Sequence, residues 1–169
     1  MFALARSTLR KSVKRLLANA PADMLLEITE TYLGYMQALQ FTSPESCVAL
    51  SDESKGASLT ANLAKEFPSL FGRDMAIIAR IAAADQNTTV APLTSERAQP
   101  YLERVFNRLR QQQVQSDLLG RSKLAPTEFQ PYCTLVIAFY ESVLALPQDD
   151  RVNVLRYLYA AAADTDDGG

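Results

Sequence analysis

The longest stretch without a polar face is Tyr132 to Leu146, YCTLVIAFYESVLAL, in which Thr134, Ala138, Glu141 and Ala145 form one thin relief stripe at helical spacing. A surface helix shows a polar side, and one that is apolar almost all round must be surrounded by others. The segment is therefore predicted to be the central helix of a bundle. Ser69 to Ala84 is the second strongly apolar segment, with Met75, Ile77, Ile78 and Ile81 set among alanines. Alanines let a neighbouring backbone approach closely, so this helix is predicted to lie against the central one. Arg80 inside it must either turn outward along its stem or find an acid.

The remaining pattern is also helical. Residues 2 to 19 carry Phe2, Leu9, Val13, Leu16 and Leu17 on one side and Arg6, Arg10, Lys14 and Arg15 largely on another, a basic amphipathic helix. A second helix is predicted from about Pro21 to Gln40, capped by Asn19, with Met24, Leu25, Ile28, Tyr32, Tyr35, Met36 and Leu39 inward and Asp23, Glu27 and Glu30 as a solvated acidic stripe. Ser43-Pro44-Glu45 starts a short helix ending near Asp52, and Leu59 to Phe67 gives another. Asp85 to Pro92 is the clearest loop. Thr94 is predicted to cap a helix to about Asp117, with Pro100 kinking or restarting it and Tyr101, Leu102, Val105, Phe106 and Leu109 inward. Leu118 to Gln130 reads as a loop, Pro131 and Pro147 bound the central helix, and Gln148-Asp149-Asp150 opens a last helix that ends in alanines at 160 to 163.

These elements predict an all-α fold, a single-domain helical bundle of about six to eight helices around the central pair 69–84 and 132–146. The chain divides into a basic amphipathic helix (1–19), an all-helical domain (20–163) and a disordered acidic tail (164–169). At 169 residues it has the size of one domain and needs no metal to fold.

Composition narrows the chemistry. Histidine is absent, which removes Ser-His-Asp and Cys-His nucleophile systems and every zinc site that needs imidazole. There is no phosphate-cradling glycine loop, no GxSxG and no EF-hand spacing. No catalytic, cofactor-binding or metal-ligating set is expected. The formal net charge of −2 gives no global pull toward nucleic acid. A helix-turn-helix reading of the helix from Thr94 fails for want of a short glycine turn before it.

Three groups of residues remain as candidates. Cys47 and Cys133 are either two small buried hydrophobes or one disulfide joining the start of a short helix to the start of the central one. Unlinked, they suit a cytoplasmic protein, and linked, a periplasmic or other oxidising compartment. Phe2, Arg6, Leu9, Arg10, Val13, Lys14 and Leu17 form a face that packs on the body, meets a partner or a second copy, or lies on anionic lipid. Transit-peptide-like and nucleic-acid-arm readings of the same segment are further alternatives, the latter disfavoured because only Phe2 could stack on bases. Arg80, Arg104 and Arg108 are candidate anion contacts, the last two one helical turn apart. A well-specified core without convergent chemistry points to a non-catalytic helical interaction module, of adaptor, accessory or inhibitor type, acting on a protein partner or on itself. A peripheral membrane protein held by helix 2–19 is the first alternative, and an anion or small-ligand binder, or an enzyme without histidine, the second.

Overall fold

A computed structural model describes residues 16–51, 62–84, 91, 93–114, 116–121 and 123–164. Within them the chain forms α1 (Ala22–Leu39), α2 (Pro44–Ser51), α3 (Pro68–Ala83), α4 (Ser95–Gln111), α5 (Phe129–Leu144) and α6 (Gln148–Asp164). Two 3-10 turns, Ser116–Gly120 and Pro126–Glu128, fill the connection before α5. Residues 62–66 are also helical, and no strand occurs among the described residues. The fold is an all-α helical bundle.

The central position of α5 follows from its side chains. It packs against α1, α2, α4, α6 and both 3-10 turns, and Cys133, Leu135, Val136, Ile137, Ser142 and Val143 are buried on it. Its relief stripe meets α1: Gln37 Nε2 donates to Glu141 at 3.0 Å, and Gln40 Nε2 donates to the Thr134 hydroxyl at 2.7 Å. The polar positions of the stripe thus register one helix on the other. The helix starts at Phe129, so Pro131 sits in its first turn, where a missing N–H costs no bond.

Two apolar clusters form the interior. The larger joins Leu25 and Ile28 of α1, Ile77 and Ile81 of α3, Val105 and Leu109 of α4, Leu135 and Val143 of α5, and Val152, Val154 and Leu155 of α6. The second joins the C-terminal half of α1 (Leu33, Tyr35, Met36, Leu39) to Cys47 and Ala49, Leu63, and Cys133, Val136 and Ile137. The buried threonines of α1 satisfy themselves, Thr29 donating to the Leu25 carbonyl and Thr31 to that of Glu27, each at 2.8 Å.

Several local expectations need correction. The helix at 69–84 packs chiefly on α1 and lies at the side of the bundle; only Ile77 and Ile81 on it are buried. Alanine forms helix without needing burial, so its abundance in this segment marked helix rather than core. Asn19 does not cap α1; the capping position is Pro21, with no side-chain bond. The stripe Asp23–Glu27–Glu30 is not simply solvated, because Glu27 and Asp23 meet arginines of α3. Pro100 does not restart α4, which runs through it. Proline there removes the bond to the Glu96 carbonyl, at an exposed position. The final helix takes in Asp164; the rest of the tail lies outside the described residues.

The end of α4 comes earlier than Asp117, for a physical reason. Gln113 N–H donates to Arg110 O at 3.1 Å and Val114 N–H to Leu109 O at 3.3 Å, the bond pattern of a Schellman stop. It requires a left-handed residue, and Gln113 takes φ 57°. A side chain there costs about 1 kcal/mol. Gln113→Gly is expected to raise the unfolding free energy by about 0.5–1 kcal/mol after allowing for glycine's larger unfolded-state entropy. Urea unfolding checks this, and a loss of stability would show that the Gln113 side chain does more than tolerate the turn.

Candidate functional site

Two positions on opposite sides of α3 carry chemistry that the core does not absorb. The helix opens on Pro68 at its first position. Its inward line is Leu70, Asp74, Ile77 and Ile81, spaced by three and four residues so that they share one side. Its outward line is Gly72, Met75, Ala76, Ala79, Ala82 and Ala83, all exposed. Met75, expected inside with Ile77 and Ile81, is 48% exposed. Phe41 and Leu119 are the other exposed large hydrophobic residues among those described.

Arginines border the outward line on one edge. Arg80 Nη1 lies 2.8 Å from Glu27 Oε2, Arg73 Nε lies 3.5 Å from Glu27 Oε1, and Arg80 Nη2 lies 4.0 Å from Asp23. Both arginine side chains are about half exposed, so these pairs fix the setting of α3 on α1 more than they stabilise it.

The inward line holds an anomaly. Asp74 is half-buried between Leu70 and Ile77, and no described residue gives it a hydrogen bond or an ion pair. Burial raises its carboxyl above the ordinary aspartate range. Tyr35 of α1 is buried with its hydroxyl unpartnered, and burial followed by the nearby Asp74 charge pushes that hydroxyl up to about 12. Tyr159 of α6 lies 3.4 Å from the Thr29 hydroxyl. Either hydroxyl can donate in this pair. Burial raises Tyr159, the Thr29 bond partly offsets this, and Asp74 adds to it. Tyr140 of α5 is raised by burial and by its tyrosine neighbours Tyr159, Tyr32 and Tyr132.

The residues singled out in the sequence fall as follows. Cys47 and Cys133 form a disulfide between α2 and α5, with Cα atoms 6.0 Å apart; neither residue is exposed, and both sulfurs lie 3.8 Å from the Met36 carbonyl oxygen. Arg80 is engaged with Glu27. Arg104 reaches Asp150 at 3.5 Å and lies over the Tyr101 ring. Arg108 is exposed one turn further along α4 with no ion pair to a described residue. The three arginines therefore do not converge: Arg80 serves the α1–α3 seam and Arg104 the α4–α6 seam. Phe2, Arg6, Leu9, Arg10, Val13 and Lys14 lie outside the described residues. Leu17 packs on the larger cluster, and Arg156 holds the segment after it by donating to the Ala20 carbonyl at 3.1 Å.

No group of three or more Cys, Asp or Glu among the described residues could hold a metal ion. No described helix is long and apolar enough to cross a membrane. Sequence reasoning passed over Asp74 and treated the tyrosines as apolar bulk. The available signal was an acid three and seven positions before Ile77 and Ile81, on the line that must face inward.

Fold and site together define an all-α, disulfide-linked bundle with one helix at its side whose outer line is apolar. Comparison with protein families, with curated proteins and with solved structures returns no match for this chain.

Proposed function

We propose that the chain is a non-catalytic helical interaction module that binds a protein partner through the outward side of α3, and that the occupant is a helix of that partner. The observation that supports this reading is the exposure of Met75 together with Gly72, Ala76, Ala79, Ala82 and Ala83 on one helix line. Solvated helices put charge on such a line, and here the charges stand at its edge. Side chains this small let a second helix pack at the short end of the usual interaxial distance, with Met75 as the adaptable apolar contact.

The buried disulfide favours an oxidising compartment as the place of work. Arg80 and Arg104 are already matched by acids, which weakens the anion-binding alternative.

A photo-crosslinking side chain at position 79, placed in the protein in its native cells, tests the proposal. A discrete protein adduct is expected at 79 and none at the exposed Arg108 position on α4. Met75→Glu is expected to reduce the adduct at least tenfold while leaving the unfolding midpoint within experimental error, since the residue is half exposed. An adduct that survives Met75→Glu, or none at 79, sinks the reading. The adduct's mass shows whether the partner is a second copy of the chain.

A further inference from the structure

The outward line of α3 carries the sulfur-bearing side chain most open to solvent among the described residues. The chain holds two cysteines and four methionines. Both cysteines are joined in the buried Cys47–Cys133 disulfide. An oxidant that meets the folded chain therefore finds no thiol, and thioethers are the sulfur nucleophiles left to it. Met36 is 0% exposed, and Met24 packs against the larger apolar cluster; Met1 lies outside the described residues. Met75 is 48% exposed, and its surroundings do not screen it. A helical side chain leans over the turn before its own. For Met75 that is the turn of Gly72, where an added Cβ would meet nothing within 4 Å beyond its own helix backbone and chain neighbours. Ala76 and Ala79, next to it and one turn on, end at a methyl group and are themselves exposed.

We propose that Met75 is a reversible oxidation site, at which a hydroperoxide converts the outward side of α3 from apolar to polar. A lone pair of the thioether sulfur attacks the hydroxyl oxygen of the hydroperoxide, and the S–O bond forms as the O–O bond breaks. Sulfur is oxidised by two electrons and the peroxide is reduced. The proton of the transferred oxygen passes to the departing oxyanion, which leaves as water, or as an alcohol from an organic hydroperoxide. A sulfoxide reductase reverses the change, two thiols closing to a disulfide while the oxygen departs as water.

The position separates contact from stability. A sulfoxide here touches none of the buried side chains that hold α3, which are Ile77 and Ile81. It does place a strong hydrogen-bond acceptor within a line otherwise made of glycine and alanine. A partner helix seated on that line would bury the new dipole without a donor to meet it, at a cost to binding. The effect on docking rests on the function proposed above; the oxidation site does not.

Brief treatment of the full chain with dilute hydrogen peroxide, followed by peptide mass mapping, reads the site. Met75 is expected to gain one oxygen atom at least about tenfold faster than Met24 or Met36, since buried thioethers must wait for the fold to open. The unfolding midpoint should stay within experimental error, and methionine sulfoxide reductases supplied with a dithiol should return the Met75 peptide to its original mass. In the native cells, peroxide given before irradiation should reduce the adduct at position 79 severalfold. Met75→Leu keeps the bulk of the side chain without its sulfur, so its adduct should survive the same treatment. Oxidation of Met24 or Met36 as fast as that of Met75 overturns the site, and a Met75 peptide that the reductases cannot restore overturns its reversibility. An adduct that persists although Met75 is oxidised, or one lost equally from the Met75→Leu chain, overturns the control of docking. Absence of any adduct at 79 in untreated cells overturns the docking reading instead, and the mass map still decides the oxidation site.

Discussion

Reduction of the Cys47–Cys133 disulfide is expected to lower the unfolding free energy by about 4–5 kcal/mol. The bond spans 86 positions, and closing a loop of that length removes this much chain entropy from the unfolded state in the simplest treatment. Set against the roughly 5–15 kcal/mol of stability typical of a domain, that is about a quarter or more of the total. The bond also ties α2 to α5 within the cluster that holds Met36, Leu39 and Ile137, so its loss should be felt first at α2. The native state softens the loss slightly: both sulfurs lie 3.8 Å from the Met36 carbonyl, and each thiol would find there a weak acceptor. Because both cysteines are fully buried, reductant should attack only molecules that have opened. Urea unfolding with and without reductant gives the magnitude, and thiol release under native conditions gives the rate. A stability change under about 1 kcal/mol, or release far faster than unfolding, would count against this account.

The sequence pattern reached some parts of this structure and not others, and the division is physical. α5 was legible because a segment apolar on nearly every side has only one place to go; Glu141 and Thr134, its polar positions, even marked the line where Gln37 and Gln40 of α1 attach. Ser43 and Pro44 located the start of α2, and Thr94 that of α4, whose Arg97 N–H donates to the Thr94 hydroxyl at 3.4 Å, since caps act locally. The place of α3 was not legible, because alanine is a helix former that looks apolar without being committed to a core. The stop of α4 at Gln113 was hidden for the converse reason. The left-handed turn is usually marked by glycine, and here a glutamine bears it. The Asp74–Tyr35–Tyr159 seam joins three helices distant in sequence, and pairwise proximity of that kind leaves no periodic trace.

Ile77→Ala should cost about 3 kcal/mol, within the range for deleting a buried isoleucine side chain to the methyl, whereas Met75→Ala should stay within about 0.5 kcal/mol of the unmodified protein. The two residues are neighbours but one along on α3, with 1% and 48% of their surface exposed. Ile77 enters the cluster that contains Leu25, Val105 and Leu135; Met75 touches water. With Ile77 gone, Ile81 is the only buried side chain left on the helix, so part of the cost should appear as local release of α3 before the bundle opens. Urea unfolding followed by helicity should then broaden, and hydrogen exchange of α3 amides should accelerate well beyond that of α5. Met75→Ala should do neither, and should instead weaken the crosslink at position 79. Equal stability costs for the two substitutions would mean that α3 has no distinct inner and outer sides. Unequal costs with equal effects on the crosslink would keep α3 as a structural element and remove its outer side from the binding proposal.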